Sequence, residues 1–399
     1  QGVAAVLTQE TTSRRLRPMS PAPLPAQDGL RPRWLQFRNR LIADPRFQRW
    51  VSSVPLLRRL AAGRTKALFD LCGGFIYSQV LYTCVSLKLF ELLSERPYRI
   101  AEMAERARMT PDAMERLVRA AISLDLLQNT GDGRVTLGEL GAAMAGNPAI
   151  GEMVRHHAML YADLADPLAL LRGERTETAL GQYWGYAKAD RPDSADSQQV
   201  HDYTALMAAS QSFIAEDVLD ALSLKGVSSL MDVGGGNGTF LRAVAARYPD
   251  LKLKLFDLPA VAESAGHAFA DAGLSARAET FGGNFFEDAL PAGADVVSLV
   301  RIVHDHDDDD VMRLLRNVHA ALRPGGTLIL AEPMAGEGAD DPITDAYFGF
   351  YLLAMGSGRA RPMSQISAML TDAGFVDVNE IKTRRPLLTR LLRSRRAND

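Results

Sequence analysis

From Gly226 onward, short apolar runs bounded by glycine, proline or acidic residues alternate with longer amphipathic stretches. The runs lie at about 228–233, 251–256, 277–281, 294–299 and 327–332. Their length predicts buried strands, and the 3.6-residue spacing between them predicts helices. Strands alternating with helices imply an α/β domain with a mostly parallel sheet, from about residue 223 to the C-terminal end. FVDVNEIKT and PLLTRLL could close that sheet as a hairpin. Upstream the pattern is helical. Ala67 to Leu93 is apolar almost all round and is interrupted by Asp70, Gln79, Lys88 and Glu91, which argues against a membrane span and for a buried helix. IAEMAERARMTPDAMERLVRAAISLDLL followed by NTGDGRVTLGELG reads as helix, turn, a second helix from Pro111 to Leu127 and a two-stranded wing. Helices are expected over Gly151–Leu171 and Gln198–Leu222, with a Gly/Asp/Ser-rich connection near 191–197.

Composition changes this picture only at the ends. At 399 residues, 47% apolar and 23% charged, the chain is long enough for two domains with sizeable cores. Residues 1–29 are rich in Pro, Ala, Ser and Gln and read as a flexible tail with no signal-peptide pattern. Residues 30–66 carry ten Lys or Arg against Asp44, interleaved with Trp34, Phe37, Leu41, Phe47, Trp50 and Leu56. That basic arm could dock on the body of the protein or rest on anionic lipid as a peripheral membrane contact. Residues 67–381 hold 25 basic and 44 acidic residues, a net of −19, which argues against wholesale nucleic-acid binding. Within the winged-helix pattern, Arg116 and Arg119 are offset by Asp112, Glu115 and Asp125, so a groove-reading helix is not expected there. Cys72 and Cys84 are twelve residues apart on one expected helix, roughly 18 Å at helical rise, too far to bridge. A reducing cytoplasm is the simple reading.

The candidate chemistry centres on SSLMDVGGGNGTF, residues 228–240. Asp232, Gly234, Gly236 and Gly238 form D-x-G-x-G-x-G, where residues without side chains let the backbone approach a ligand. A dinucleotide fingerprint would need a small residue where Thr239 stands. A carboxylate before the glycines suits a ligand with an ammonium group and no pyrophosphate, and S-adenosylmethionine fits that description. Asp257 ends the second strand, nineteen residues after Gly238, where it could accept from ribose hydroxyls. FGGNFF then offers Asn284 to an adenine edge and Phe285 to its face. In LVRIVHDHDDDD, His304 follows the fourth strand and has the pKa range of a general base. A capping residue, a solvated loop histidine, or a metal site with His306 and the aspartates are the alternatives. Asp307–Asp310 are explained as the cap and first turn of a helix reaching Leu322, and displacement at a sulfonium needs no metal.

DVGGGNG, FDLP, GGNFF, RIVHDHDD, LRPGG and AEP, in this order and spacing from about residue 70 to the C-terminal end, resemble the S-adenosylmethionine-dependent O-methyltransferases of the plant caffeate and animal acetylserotonin type. IADPRFQRW and ALFDLCGGFIYSQVL resemble the bacterial carotenoid subgroup of that family. The resemblance implies a Rossmann-like, mostly parallel methyltransferase sheet over 223–399 with an N-terminal all-helical, winged-helix dimerisation domain over 67–222. It implies a homodimer, a lipophilic small-molecule acceptor, S-adenosyl-L-methionine as methyl donor with S-adenosyl-L-homocysteine as product, and no metal. Leu258, Gly283 and Arg301 fall at cofactor positions, Met207 at a substrate contact, and His304 at the catalytic base with Glu332 as its partner. The caffeate branch has a second glutamate where this chain has Ala360, which leaves Glu332 with Asp305 as its only neighbouring help. Other acceptors remain open: a phenolic or polyketide hydroxyl, or a bacteriochlorophyll precursor. A winged-helix regulator that senses S-adenosylmethionine on DNA is the alternative of another class.

Overall fold

The computed structural model describes residues 30–187, 211, 214–338, 341–386 and 389–398. It forms two units, one ending at Tyr77 and the other beginning at Ser78. The basic arm is helical: α1 (Leu30–Ala43), α2 (Pro45–Ser53) and the start of α3 (Pro55–Ser86). Asp44 caps α2 by accepting from the Arg46 amide at 2.7 Å, and Pro45 occupies the first helical turn, where a missing N–H costs nothing. Trp34, Phe37 and Leu41, spaced three and four apart on α1, are all exposed, as is Trp50 on α2.

The helix expected over Ala67–Leu93 differs in its bounds, and within a single chain most of it is not buried. The helix begins at Pro55, and the chain breaks at Lys88, whose φ of 52° is left-handed, before α4 (Leu89–Glu95). Leu68, Phe69, Leu71, Phe75 and Ile76 are exposed, while only the last turns, at Cys84 and Val85, are buried. By length and composition Ala61–Ser86 is also apolar enough to cross a bilayer, so the interrupting charges do not exclude it on that ground. An all-round apolar sequence says that a surface must be covered but not by which molecule.

In the second unit, α5 (Ile100–Arg106), α6 (Pro111–Ser123) and the antiparallel wing β1 (Leu127–Asn129) and β2 (Val135–Leu137) follow the expected order. Thr110 caps α6, and Met114, Val118 and Ala121 bury one face of it against Phe90, Leu93 and Met103. After α7 (Glu139–Ala145) the expected helix from Gly151 to Leu171 is two, α8 (Pro148–Asp163) and α9 (Pro167–Leu171). Asp166 caps α9, and Pro167 forces the restart. α10 (Ala179–Ala187) follows; the expected helix over Gln198–Leu222 is described as α11 only over 214–221, and Met207 lies outside the described residues.

The strands are β3 (Ser229–Val233), β4 (Lys252–Asp257), β5 (Ala278–Gly282), β6 (Ala294–Val300), β7 (Leu322–Glu332), β8 (Phe375–Ile381) and β9 (Arg390–Arg396). Their order is β5-β4-β3-β6-β7-β9-β8, parallel as far as β7 and antiparallel beyond it. β7 starts five residues before the expected 327, and the last strand lies four residues beyond the start of PLLTRLL.

Alternate residues cover opposite faces, as the period of two requires. Met231, Val233, Val297, Leu299, Leu328 and Leu330 pack with α14 (Asp308–Ala321) and α16 (Met363–Asp372). Leu230, Val296, Val300 and Ile329 pack on the other face with α11, α12 (Thr239–Arg247) and α13 (Pro259–Asp271). From β3 the chain fills one side of the sheet through β4 and β5, then crosses to β6 on the other. The reversal leaves a crevice beyond the carboxyl ends of β3 and β6, the usual ligand position in such sheets.

Candidate active site

The glycine-rich loop leaves β3 at this crevice. Gly234, Gly236 and Gly238 have φ of 74°, 58° and 75°. At Gly238 a Cβ would also run into the Phe269 ring of α13, so a side chain there is excluded twice. Asp232 is 2% exposed, and one of its carboxylate oxygens accepts from the Ser298 hydroxyl at 2.6 Å. Burial outweighs that bond and pushes its pKa up to about 7, with the Asp257 charge adding to the rise. Asp257 accepts from the amides of Gly236 and Leu258, both at 2.8 Å, and burial raises its pKa as well. Among the described residues, no Lys or Arg lies within ion-pair distance of either carboxylate.

Gly283 is held beside Asp257 by its amide, which donates to the Asp257 carbonyl at 2.9 Å. Asn284 shapes the turn: its side-chain oxygen accepts from the Phe286 amide at 3.0 Å, and its own amide donates to Asp288 at 2.7 Å. Phe285 lies edge-on to Phe286 and to His306. Asp232, Gly234, Gly236, Gly238, Asp257, Leu258, Gly283, Asn284 and Phe285 thus come together around one crevice.

His304 follows β6 in a single 3-10 turn, Val303–Asp305, and is 5% exposed. Its Nδ1 lies 2.5 Å from Glu332 at the end of β7. The other Glu332 oxygen accepts from the Ile302 amide at 2.8 Å and the Val303 amide at 2.7 Å. One fully buried carboxylate therefore holds both the ring and the backbone that carries it. Asp305, expected to assist Glu332, faces the opposite ring nitrogen, Nε2, at 3.2 Å. Burial, the strongest influence, disfavours the imidazolium, but Asp305 and Glu332 together outweigh it and hold the His304 pKa above 6.5. Arg301 opposes that rise, and its φ of 57° is left-handed, a conformation that non-glycine residues rarely take outside functional sites.

The acidic run takes the expected N-cap and first turn of α14, but the Asp307 side chain makes no capping bond to that helix. Asp307 accepts from the Gly358 amide at 3.2 Å, and Asp308 pairs with Arg359 and Arg361. His306 lies against the Phe285 and Phe286 rings, and among the described residues no cluster of three His, Cys, Asp or Glu could hold a metal ion.

Sequence reasoning missed an aromatic wall beside His304. Phe348, closing the π-helical turn Pro342–Phe348, stands edge-on to the His304 ring. Beyond it, His157 meets the Tyr347 hydroxyl at 2.8 Å, and the Tyr351 hydroxyl accepts from the Trp184 indole at 3.0 Å and lies 2.8 Å from His156 Nε2. Burial pushes His156 down to about 4, so it stays neutral, and raises Tyr347 to about 12. These partners are nearly 200 residues apart, and no local pattern announces them.

A glycine cradle at a topological switch point, with a buried histidine on a carboxylate after the neighbouring strand, is the arrangement of an enzyme site for a nucleoside-type ligand. The chain belongs to the S-adenosylmethionine-dependent O-methyltransferases: residues 161–376 match the O-methyltransferase domain, and residues 69–146 match the O-methyltransferase dimerisation domain. It is 41% identical to the demethylspheroidene O-methyltransferase of Cereibacter sphaeroides over 90% of this chain and 94% of that one. The Rhodobacter capsulatus enzyme of the same name is 38% identical over 99% and 98%. The mitomycin 7-O-methyltransferase structure superposes with a TM-score of 0.72 at 24% identity, over 85% of this chain and all of that one.

The dimerisation match begins inside α3 and takes in its exposed apolar residues Leu71, Phe75 and Ile76, which supports a homodimer. The crevice residues fit S-adenosylmethionine. Its glycines leave room along the backbone, and the carboxylates of buried Asp232 and half-buried Asp257 offer acceptors to an ammonium group and to ribose hydroxyls.

Proposed function

We propose that this chain methylates the C-1 tertiary hydroxyl of an acyclic carotenoid of the demethylspheroidene or hydroxyneurosporene kind, with His304 as general base. The observation that carries the chemistry is the buried Nδ1 contact of His304 with Glu332. The acceptor assignment rests on two relatives of that name, one of them similar over 99% of this chain, the basic arm included. S-Adenosylmethionine supplies an electrophilic methyl group when bound, and the chain must orient a hydroxyl and take its proton. Asp232, Gly234, Gly236, Gly238, Asp257, Leu258, Gly283, Asn284, Phe285 and Arg301 form the proposed cofactor site.

Glu332 keeps the proton of the neutral ring on Nδ1, so the lone pair lies on Nε2. Asp305 lies 3.2 Å from the same Nε2 and accepts from it when the ring is doubly protonated, and at the neutral ring an acceptor hydroxyl would take its place. As the C–O bond forms, the hydroxyl proton passes to Nε2, and Glu332 and Asp305 stabilise the resulting imidazolium. Phe348 and the tyrosines behind it give the apolar wall that a lipophilic acceptor needs. Such an acceptor partitions into membranes, and the exposed tryptophans and surplus cations of α1 and α2 suit a peripheral contact with anionic lipid.

The test is incubation of the protein with labelled S-adenosylmethionine, a hydroxylated acyclic carotenoid in detergent, and a panel of phenols. Label in a methoxycarotenoid is the expected result. Label only in a phenol overturns the acceptor, and cofactor binding with salt-sensitive DNA retention and no transfer overturns the catalytic reading.

A further inference from the structure

The His304 turn is buried and has backbone carbonyls as well as amides to satisfy, and Glu332 can serve only the amides. The carbonyls are met from the other side by the segment Ser357–Arg361. The Ser357 hydroxyl donates to the Asp305 carbonyl at 3.1 Å. Gly358, at φ 80°, passes so close that a Cβ would collide with the His304 carbonyl oxygen.

Arg361 makes the centre of this support. It is 1% exposed, and its Nη1 donates to the carbonyls of Val303 at 2.9 Å and Arg359 at 3.3 Å. Its Nη2 donates to the His306 carbonyl at 2.7 Å, and its Nε donates to Asp308 at 2.8 Å. Asp308 also neutralises the buried guanidinium.

We infer that Arg361 is a positioning residue for the general base: it clamps the carbonyls on either side of His304 so that Nδ1 stays on Glu332 and Nε2 faces the acceptor. This inference rests on His304 being the base. A planar fork with five donors can span two carbonyls and a carboxylate at fixed angles, which no other side chain does. Ala360, standing where the caffeate branch has a second glutamate, leaves the clamp and Glu332 to hold the turn.

The test is steady-state kinetics of Arg361→Met, alone and combined with His304→Ala, across pH. Displacement of the turn by about 1 Å predicts a kcat roughly 100-fold lower. Acceptor KM and cofactor affinity should stay within about threefold, because Arg361 itself bonds to none of the proposed cofactor residues. A weaker Nδ1 contact lowers the His304 pKa, so the acid limb of the pH–rate profile should move to lower pH.

In the His304→Ala background the same substitution should cost less than about threefold, since a positioning residue has nothing left to position. Guanidinium ion should restore turnover in Arg361→Ala. Where Arg361→Met fails to fold, Arg361→Lys serves: one ammonium cannot span the three acceptors, and a loss of about tenfold or more is expected. Wild-type kcat and pH profile in a folded variant, or an undiminished loss in the His304→Ala background, overturns the inference alone. Wild-type turnover in His304→Ala overturns it together with the base assignment.

Discussion

Exchanging Glu332 for glutamine removes one charge and almost no volume from the centre of the site. The amide oxygen can keep the bonds from Ile302 and Val303, at 2.8 and 2.7 Å, so the turn should stay where it is. Its NH2 group then faces Nδ1 of His304, where the carboxylate oxygen stood at 2.5 Å. Two donors cannot share that line, so the ring must present its lone pair at Nδ1 and carry its proton on Nε2. That tautomer cannot accept a proton from a hydroxyl lying at Nε2. In carboxylate–histidine pairs of this geometry the same exchange costs on the order of 10³- to 10⁴-fold in kcat, about 4–5.5 kcal/mol of transition-state stabilisation.

The pH dependence carries a second sign. Two carboxylates hold the His304 pKa above 6.5, so kcat/KM of the wild-type protein should climb with pH through a limb above that value. Removing one carboxylate should shift the limb to lower pH even as its plateau falls. Single-turnover methyl transfer from labelled S-adenosylmethionine across pH 5 to 9 reads both effects, and cofactor affinity by titration calorimetry should be unchanged. Turnover within about threefold of wild type, with the limb unmoved, would refute the assignment of Glu332 as the partner that sets the tautomer.

Asp232 makes the cofactor site pH-sensitive. Burial raises its pKa to about 7, so the folded chain holds that proton more tightly than the unfolded one, and its contribution to the stability of the ligand-free protein is lost as pH rises from about 4 to 7. A cationic ligand favours the carboxylate, so S-adenosylmethionine should bind about tenfold more tightly for each unit that pH rises toward 7 and level off above it. Asp232→Asn should weaken binding by about 10- to 100-fold and flatten that dependence, both read by calorimetry in buffers of different ionisation enthalpy. An unchanged slope in Asp232→Asn would move the titrating group elsewhere. For the arm, the protein should pellet with anionic but not neutral vesicles, each Lys or Arg near the surface contributing about 1 kcal/mol. Trp34→Ala with Trp50→Ala should weaken pelleting by about tenfold or more, and equal behaviour on both kinds of vesicle would remove the lipid reading.

Much of this site could be read from the chain because its pieces are local. Asp232 to Gly238 lie on one turn, and the positive φ of three glycines is a demand that sequence spacing records directly. Asp257 and His304 follow from strands whose apolar period ends beside them. Glu332 is different: 28 residues separate it from His304, and only the family resemblance linked them before the sheet placed β7 beside β6. The aspartate run shows what local reasoning leaves out, since a helix start accounts for four acidic residues in a row and gives no reason to look for Arg361, which Asp308 in fact pairs with. What covers the apolar helix is not legible, for another reason. Its residues are equally consistent with a core, a second subunit or a bilayer, because burial is a property of the assembly and not of the stretch.

The same distinction explains why the base needs two supports. A histidine on a loop after a parallel strand has little ladder to hold it, since β6 ends at Val300 and the last backbone bond to β7 runs from the Arg301 amide to the Ala331 carbonyl at 2.8 Å, three residues before His304. Its amides and carbonyls must therefore find side-chain partners or remain unpaired in a dry site, at a cost comparable to the bonds themselves. Glu332 supplies acceptors for the amides and Arg361 donors for the carbonyls, from two segments of the chain that meet at the base. Precision at Nε2 is then a by-product of satisfying the backbone.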